Sequence, residues 1–156
     1  GNINHMKITD INNKLLDKEA FFGEREQQFL LASAPKSKFN LGINYEYKKL
    51  KTAINFTRFS EIKLIDWQIG QDITNFNNSE AERLSAATDI YQPKITTDLH
   101  LSYQFNKIIN LQIGANNLFN IYPTKQNSFT DSGGLWDATQ MGTNGSFYYT
   151  KLNFRL

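Results

Sequence analysis

The chain has 156 residues, a length that fits one domain of ordinary size, and its formal net charge is only +2. The charges are spread along the chain, so there is no clustered basic stripe and we expect no nucleic-acid partner. The absence of cysteine excludes a disulfide framework and a thiolate metal site. No run of about 18 apolar residues occurs, which excludes a membrane-spanning helix. Spanning β-strands stay open, because they need only about 9–11 residues with alternating polarity.

The first residues carry neither a signal-peptide pattern nor a helix cap. The stretch GNINHMKITDINNK lacks a basic segment followed by an apolar one. We therefore expect a fragment or a processed piece that opens with a strand over about residues 1–9. Further along, EREQQFLLA predicts one or two helical turns, with Phe29 and Leu30 turned inward and Pro35 ending them.

Five later segments alternate apolar and polar residues, which predicts strands with one apolar and one polar face. They are FNLGINYEYK from Phe39, LKTAINFTRF from Leu50, ITTDLHLSYQF from Ile95, INLQIGANN from Ile109 and FYYTKLNFRL from Phe147. Their apolar positions hold large aliphatic residues, with Tyr and Phe near the segment ends. Their polar positions hold mostly Asn, Gln, Ser, Thr and Gly, which suits the wall of a wet or plugged lumen better than an open solvent face.

The connections between these segments alternate in length. Residues 48–51 and 106–110 are short turns, whereas residues 60–93 and 120–146 are long and polar. In an antiparallel meander this pattern places the short turns at one end and the long loops at the other, as in outer-membrane barrels. Compact soluble domains rarely carry two loops of this length. The pattern therefore favours a membrane barrel over a soluble sandwich with an aromatic core.

The stretch LQIGANNLFNIYP, residues 111–123, begins as a strand and continues into paired amides, two large apolar residues and an aromatic–proline step. Together with the preceding TDLHLSY, it resembles the C-terminal end of TonB-dependent outer-membrane receptors. The late signature of that family is a strand that runs into an NNLF(N/D)xYP-like segment. The residues that carry the resemblance are Asn116, Asn117, Leu118, Phe119, Asn120, Ile121, Tyr122 and Pro123.

The resemblance implies an all-β fold, an antiparallel meander from the C-terminal part of a 22-stranded transmembrane β-barrel whose lumen is plugged by an N-terminal domain. Residues 1–156 would supply about five complete strands and the end of another, without the plug domain. In such a barrel Leu111, Ile113 and Ala115 would face lipid. Leu118, Phe119 and Tyr122 would lie at the outer interface, and Pro123 would release the chain into an external loop.

The implied function is active transport across the outer membrane of a Gram-negative bacterium. An iron–siderophore complex is the first choice of cargo, and haem, cobalamin or a glycan are competitors. The implied partners are outer-membrane lipid, the remainder of the same barrel with its plug domain, the TonB energy-coupling complex and a small-molecule ligand such as an iron chelate. We expect no enzyme activity and no cofactor, because the sequence has no Ser/His/Asp set, no suitably spaced carboxylate pair and no phosphate-binding glycine loop.

Candidate ligand-contacting residues lie in the long connections. They are Trp67, Trp136 and Met141, since large apolar side chains on external loops either stack on a ligand or pack against neighbouring loops. Asp98 and His100 lie two apart on one strand face and can share a metal ion, although a solvated pair on the inner wall is the simpler interpretation.

Two other classes of protein stay open. One is a soluble β-sandwich that binds carbohydrate through Trp67 or Trp136, with its aromatic face buried between two sheets. The other is a passive porin, which would have no plug domain encoded upstream. A heat-modifiable gel shift in membrane fractions separates a barrel from the soluble module.

Overall fold

The computed structural model describes residues 1–9, 22–33, 36–65, 88–126 and 135–155. In chain order the elements are β1 Asn2–Ile3, α1 Glu24–Ser33, β2 Ser37–Tyr47, β3 Leu50–Phe59, β4 Ile62–Ile65, β5 Thr88–Tyr91, β6 Lys94–Gln104, β7 Ile109–Asn116 and β8 Phe147–Phe154. Each of the five alternating segments forms a strand, and the strand pairs are antiparallel, which confirms the predicted all-β meander. None of the helices in the described ranges is long and apolar enough to cross a membrane. Pro35 and Trp67 lie outside the described residues.

Six strands form one sheet in the order β1-β2-β3-β6-β7-β8, while β4 and β5 form a second sheet of two strands. The small sheet continues the β3–β6 hairpin. Phe59 pairs with Lys94 before the interruption, and Ile62 pairs with Tyr91 after it. Because both pairs keep the same register, β3–β4 and β5–β6 form one long hairpin with a break of two residues on each side.

This extension corrects the prediction that residues 60–93 form a polar loop throughout. Ile62 and Leu64 are buried, and the side chain between them, Lys63, is exposed. A strand of four residues offers only two apolar positions, too short a run to stand out from the polar composition around it.

Helix α1 packs on the extension, and its buried side differs from the prediction. Ala32 is 4% exposed and packs with the buried apolar residues of the small sheet, which are Ile62, Leu64 and Tyr91. Gln28 Nε2 donates to Lys63 O at 3.1 Å on the same side. Phe29 and Leu30, predicted to turn inward, are 49% and 43% exposed. They lie about 100° and 200° around the helix from Gln28, so contact through Gln28 and Ala32 turns them outward.

Strand β1 is shorter than the predicted strand over residues 1–9. Only Asn2 and Ile3 form it, because they pair with the first residues of β2 and the chain then runs past the end of that strand. Within the described part of the chain, β2 has no neighbour on this edge beyond Phe39, and β8 has no neighbour on its outer edge. Both edges therefore present backbone donors and acceptors without a strand partner.

The register gives the two faces of the six-stranded sheet different compositions, one mostly apolar and one mostly polar. One row across five strands is Ile43–Ile54–Leu99–Ala115–Tyr148, and the row on the other side is Asn44–Ala53–His100–Gly114–Tyr149. We call the first side the apolar face and the second the polar face. The large exposed residues of the apolar face are Phe39, Leu41, Ile43, Tyr45, Tyr47, Ile95, Tyr103, Ile113, Tyr148, Leu152 and Phe154.

The two ends of the sheet differ as predicted. The β2–β3 turn at Lys48 and Lys49 and the β6–β7 turn at residues 105–108 lie at one end, which we call the short-turn end. Lys48 has a φ of 55° in the tighter of these turns. The β4–β5 extension, α1 and the β7–β8 connection lie at the opposite, long-loop end.

Candidate functional site

The segment after β7 is a turn fixed by its own asparagine side chains. Asn117 and Asn120 have φ of 49° and 55°, a left-handed conformation that asparagine adopts more readily than most residues. Asn117 Nδ2 donates to Ile121 O at 2.7 Å, and Asn117 Oδ1 accepts from Ile121 N at 2.9 Å. Asn120 N donates to Asn117 O at 2.8 Å and closes the turn. The side-chain amide of Asn117 therefore takes the place of a strand partner for the backbone of Ile121, at the point where β7 ends.

Two further hydrogen bonds join this turn to β6. Asn117 N donates to Asp98 Oδ1 at 2.8 Å, and Leu118 N donates to Thr97 O at 2.7 Å. Since Ala115 pairs with Leu99, the bond from Leu118 to Thr97 requires one extra residue on β7, which is a β-bulge. Asp98 thus stabilises the end of the strand.

The same turn is joined to the start of β8. Ser146 N donates to Asn120 Oδ1 at 2.9 Å, and Ser146 Oγ donates to Asn117 O at 2.7 Å. Gly145 has a φ of 68°, and a Cβ at this position would overlap the Tyr122 hydroxyl. The segment NNLFNIYP, residues 116–123, therefore joins the end of β7 to the start of β8 at the long-loop end.

Ala115 differs from the expectation that it faces lipid with Leu111 and Ile113. Ile113 is 48% exposed, whereas Ala115 is 3% exposed. Tyr148 lies opposite Ala115 in the register, and its hydroxyl donates to Leu118 O at 3.2 Å. The tyrosine ring therefore lies along β7 and covers the small residue.

The side-chain amide of Gln140 hydrogen-bonds to backbone carbonyls at the break in the long hairpin. Gln140 Nε2 lies 2.8 Å from Ser60 O, 3.3 Å from Tyr91 O and 3.0 Å from Gln92 O, and the residue is 4% exposed. Ser60 N donates to Ser37 O at 3.1 Å, so the backbone groups of Ser60 face β2 and not β6. The Gln140 amide therefore joins carbonyls on the two sides of the break, that of Ser60 and those of Tyr91 and Gln92.

Two of the predicted ligand-contacting residues, Trp136 and Met141, lie in the described part of the chain, and both pack within the loops. Trp136 stacks on Tyr122, with ring centroids 4.6 Å apart and an interplanar angle of 16°. Met141 follows Gln140 in the chain and is 5% exposed. Their contact with a ligand stays a prediction, as does that of Trp67.

A row of rings on the polar face is a further candidate that the sequence analysis missed. Phe147 and Tyr149 stack with centroids 6.2 Å apart, and Tyr149 and His100 with centroids 6.3 Å apart. His100 Nδ1 and the Tyr149 hydroxyl share a hydrogen bond of 3.1 Å. Phe147 is 61% exposed at the long-loop end of this row. The signal was present in the alternation of FYYTK, which puts Phe147 and Tyr149 on the polar side.

Gly114 makes the ring row possible. Tyr149 pairs with Gly114, which pairs in turn with His100, so the tyrosine must cross β7 to reach the histidine on β6. A Cβ on Gly114 would overlap the tyrosine ring. Together with the bond from Asn117 N to Asp98, the contact with Tyr149 gives both members of the Asp98/His100 pair a hydrogen-bond partner within the sheet and its adjoining turn. In the described residues no group of three or more His, Cys, Asp or Glu side chains suits a metal ion.

No protein-family model matches the chain, and no curated protein matches it. Among solved structures, the chain is similar to the crystal structure of the siderophore receptor PirA from Acinetobacter baumannii, with 18% sequence identity and a TM-score of 0.47. The match covers 77% of this chain and 16% of that chain, so this chain spans a small part of the length of the receptor. At this identity and TM-score, the likeness supports no statement about what this chain binds.

Proposed function

We propose that this chain is part of the barrel of a TonB-dependent outer-membrane receptor that imports a scarce nutrient. The observation that carries the proposal is the apolar face, where large side chains stay exposed in rows across the sheet. An exposed apolar area of this extent marks a contact with another molecule or with a membrane. β2, β3 and β6 have 11, 10 and 11 residues, which matches the length of about 9–11 residues that a spanning strand needs.

The polar face and the two edges support the same proposal. Side chains on the polar face hydrogen-bond to one another, as in the bonds from Thr57 Oγ1 to Asn40 Oδ1 at 2.9 Å and from Asn110 Nδ2 to Ser102 Oγ at 3.0 Å. A wall made mostly of uncharged hydrogen-bonding side chains suits the inside of a barrel whose lumen is wet or plugged. The open edges of β2 and β8 are where further strands of such a barrel would pair.

The cargo that we propose, an iron–siderophore complex, comes from the resemblance of the NNLFNIYP segment to the receptor family. The ring row of the polar face offers this cargo a contact surface, because a ligand that carries aromatic groups can stack on exposed Phe147. Transport needs no covalent chemistry from these residues. Haem, cobalamin and a glycan are the competing cargoes.

The test is uptake by the full-length gene product in an iron-starved Gram-negative host that lacks its own siderophore receptors. We expect a heat-modifiable band in the outer-membrane fraction and growth on at least one ferric siderophore, and we expect growth to stop when TonB is deleted. Phe147→Ala should reduce uptake, while Phe119→Ala, an exposed phenylalanine on the preceding turn, serves as the control. A protein absent from the outer membrane would refute the proposal, and TonB-independent uptake would identify a passive porin.

The soluble carbohydrate-binding sandwich makes a different prediction for the aromatic face. It requires Tyr45 and Tyr47 to be buried between two sheets, whereas they are 58% and 56% exposed. Within the described residues the second sheet extends the hairpin at its end and packs on α1. Solubility of the full-length protein without detergent would favour the sandwich.

A further inference from the structure

The polar face of the sheet carries more positive than negative charge. The register gathers on it lysines that are far apart in the sequence, which are Lys38, Lys51, Lys94 and Lys151. Its carboxylates are Glu46 and Asp98, and both already have partners. Glu46 pairs with Lys51 at 3.0 Å, and Asp98 accepts from Asn117 N at 2.8 Å. Within the described part of the chain, the other three lysines of this face have no carboxylate partner.

At the long-loop end a phenylalanine lies between two of these lysines. Lys38 pairs with Phe59, and Phe59 pairs with Lys94, so the three residues form one row across β2, β3 and β6. Lys38 Nζ lies 4.9 Å from the centroid of the Phe59 ring. Glu61 follows nearby, but it lines another recess that also contains Lys36 and Lys63. The row therefore offers a ring flanked by two ammonium groups, which suits an anionic ligand with flat groups.

At the short-turn end the same face holds a recess of about 900 Å³. Its lining includes Gln104, Asn110 and Asn153, which form one row of the polar face. Three cationic side chains line it as well, those of Lys49, Lys107 and Arg155. The residues that line the recess include no carboxylate, so it favours an anion.

The cations of the recess stand on a fixed backbone. Asn106 Oδ1 accepts from Ile108 N at 2.8 Å and from Ile109 N at 2.9 Å, which holds the β6–β7 turn that carries Lys107. Arg155 N donates to Ile108 O at 2.9 Å. Lys49 Nζ donates to Phe105 O at 2.8 Å, so two of its three N–H donors are left for a ligand.

We propose that the cargo of this wall is an iron chelate with a net negative charge. The row at the long-loop end would meet the chelate where it enters, and the recess at the short-turn end would meet it where it leaves. Cations along a path raise the local concentration of an anion and speed its entry. Because cations stand at both ends of the face, a ligand that travels along the face explains them better than an acidic protein segment docked at one end. This inference rests on the proposed function, because it requires the polar face to line the transport path.

The test measures uptake of radioactive iron by the full-length protein, in the host that lacks its own siderophore receptors. The probes are a panel of ferric chelates, in which anionic tris-catecholate and carboxylate chelates are compared with neutral and cationic tris-hydroxamate chelates. We expect the accepted chelates to be anionic. Lys38→Gln/Lys94→Gln should raise the half-saturation concentration of an accepted chelate about three- to thirtyfold, as expected for the loss of two exposed charge contacts. Lys49→Gln/Lys107→Gln/Arg155→Gln should lower the maximal rate of uptake.

The controls remove cations that stand beside these groups but belong to the other face. Arg58→Gln changes the residue next to Phe59, and Lys48→Gln changes a lysine whose Nζ lies 5.1 Å from the ring centroid of Tyr47 on the apolar face. Both should keep native uptake, at equal amounts of the heat-modifiable band.

Uptake confined to neutral or cationic chelates would overturn this inference and leave the proposed function standing. Native uptake kinetics in both polar-face variants would overturn it too. So would carbodiimide cross-linking of Lys49 or Lys107 to an acidic segment of the same protein, which would identify the plug domain as the occupant of the recess. If no chelate of the panel is taken up, the proposed function fails together with this inference.

Discussion

Three amide side chains at the long-loop end take over the hydrogen bonding of the backbone. Asn117 pairs with both backbone groups of Ile121, Asn120 accepts from Ser146 N, and Gln140 donates to carbonyls at the hairpin break. Each of them acts where a strand ends or is interrupted and the ladder has no donor or acceptor to offer. Buried backbone groups without partners are costly, so these amides stabilise the fold.

Asn117 combines a side-chain role and a backbone role that substitutions can separate. Asn117→Gly keeps the left-handed conformation but loses two side-chain bonds, so we expect a loss of about 1–2 kcal/mol. Asn117→Ala adds the cost of placing a Cβ in that conformation, about 1 kcal/mol more. The free energy of unfolding, measured in urea from phospholipid vesicles, checks both values. Asn144→Ala, at an exposed position of the same loop end, is the control, and equal losses in the glycine and alanine variants would contradict the backbone role.

Gln140→Glu tests the hydrogen bonds from the Gln140 amide to the carbonyls at the hairpin break. The carboxylate has nearly the same shape but no donor, and it places a charge among three carbonyls, so we expect a loss of about 2 kcal/mol or more at neutral pH. The deficit should narrow when the pH is lowered, since the protonated carboxyl regains one donor. Thermal melting of the heat-modifiable form measures it, and Asn144→Asp is the matched amide-to-acid control. A melting temperature equal to that of the control would show that the hydrogen bonds of the Gln140 amide contribute nothing to stability.

At the scale of elements, the contact between Tyr149 and Gly114 joins three strands. Gly114→Ala places a methyl group in the tyrosine ring and should cost about 1–3 kcal/mol. Gly42→Ala is the matched control, because its Cβ would meet only the mobile end of the Asn55 side chain, at 2.9 Å. Combining Gly114→Ala with Tyr149→Ala removes the overlap, so the double variant should lose less than the sum of the two single losses. Strict additivity would contradict the account of the ring row.

The strands and their faces could be predicted from the sequence because alternation over eight or more residues is a strong local signal. The β4–β5 extension could not, since its partners are far apart in the chain and each strand has four residues. The buried side of α1 was predicted wrongly for a related reason. A short helix packs on whichever side meets its neighbour, and here Ala32 meets the small sheet while Phe29 and Leu30 stay exposed.

The candidate site was predictable only in part. The resemblance singled out Asn117 and Tyr122, and their contacts explain why an NNLFNIYP segment turns the chain at the end of β7. The role of Gln140 depends on the carbonyls of Ser60, Tyr91 and Gln92, which lie 48 to 80 residues earlier in the chain. The ring row depends on the register between β6, β7 and β8, which alternation within each strand does not supply.

At the scale of the whole molecule, the two faces and the two ends define an orientation. The proposed function places the apolar face in lipid, the polar face towards the lumen, the long-loop end outside the cell and the short-turn end towards the periplasm. In that orientation the bulge at Asn117 lies where β7 leaves the membrane. The ring row runs from the exposed Phe147 along the polar face to His100.

The most direct test of the central claim, that the apolar face contacts lipid, is a spin-label scan of β6 in the full-length protein in bilayers. The chain has no cysteine of its own in these residues, so single cysteines can be placed at positions 99–103. Collision with oxygen, which concentrates in the bilayer, is compared with collision with a water-soluble nickel chelate. We predict high oxygen and low nickel accessibility at Leu99, Leu101 and Tyr103, and low oxygen accessibility at His100 and Ser102. Uniform accessibility along the strand, or nickel accessibility at Leu99 and Leu101, would contradict the account.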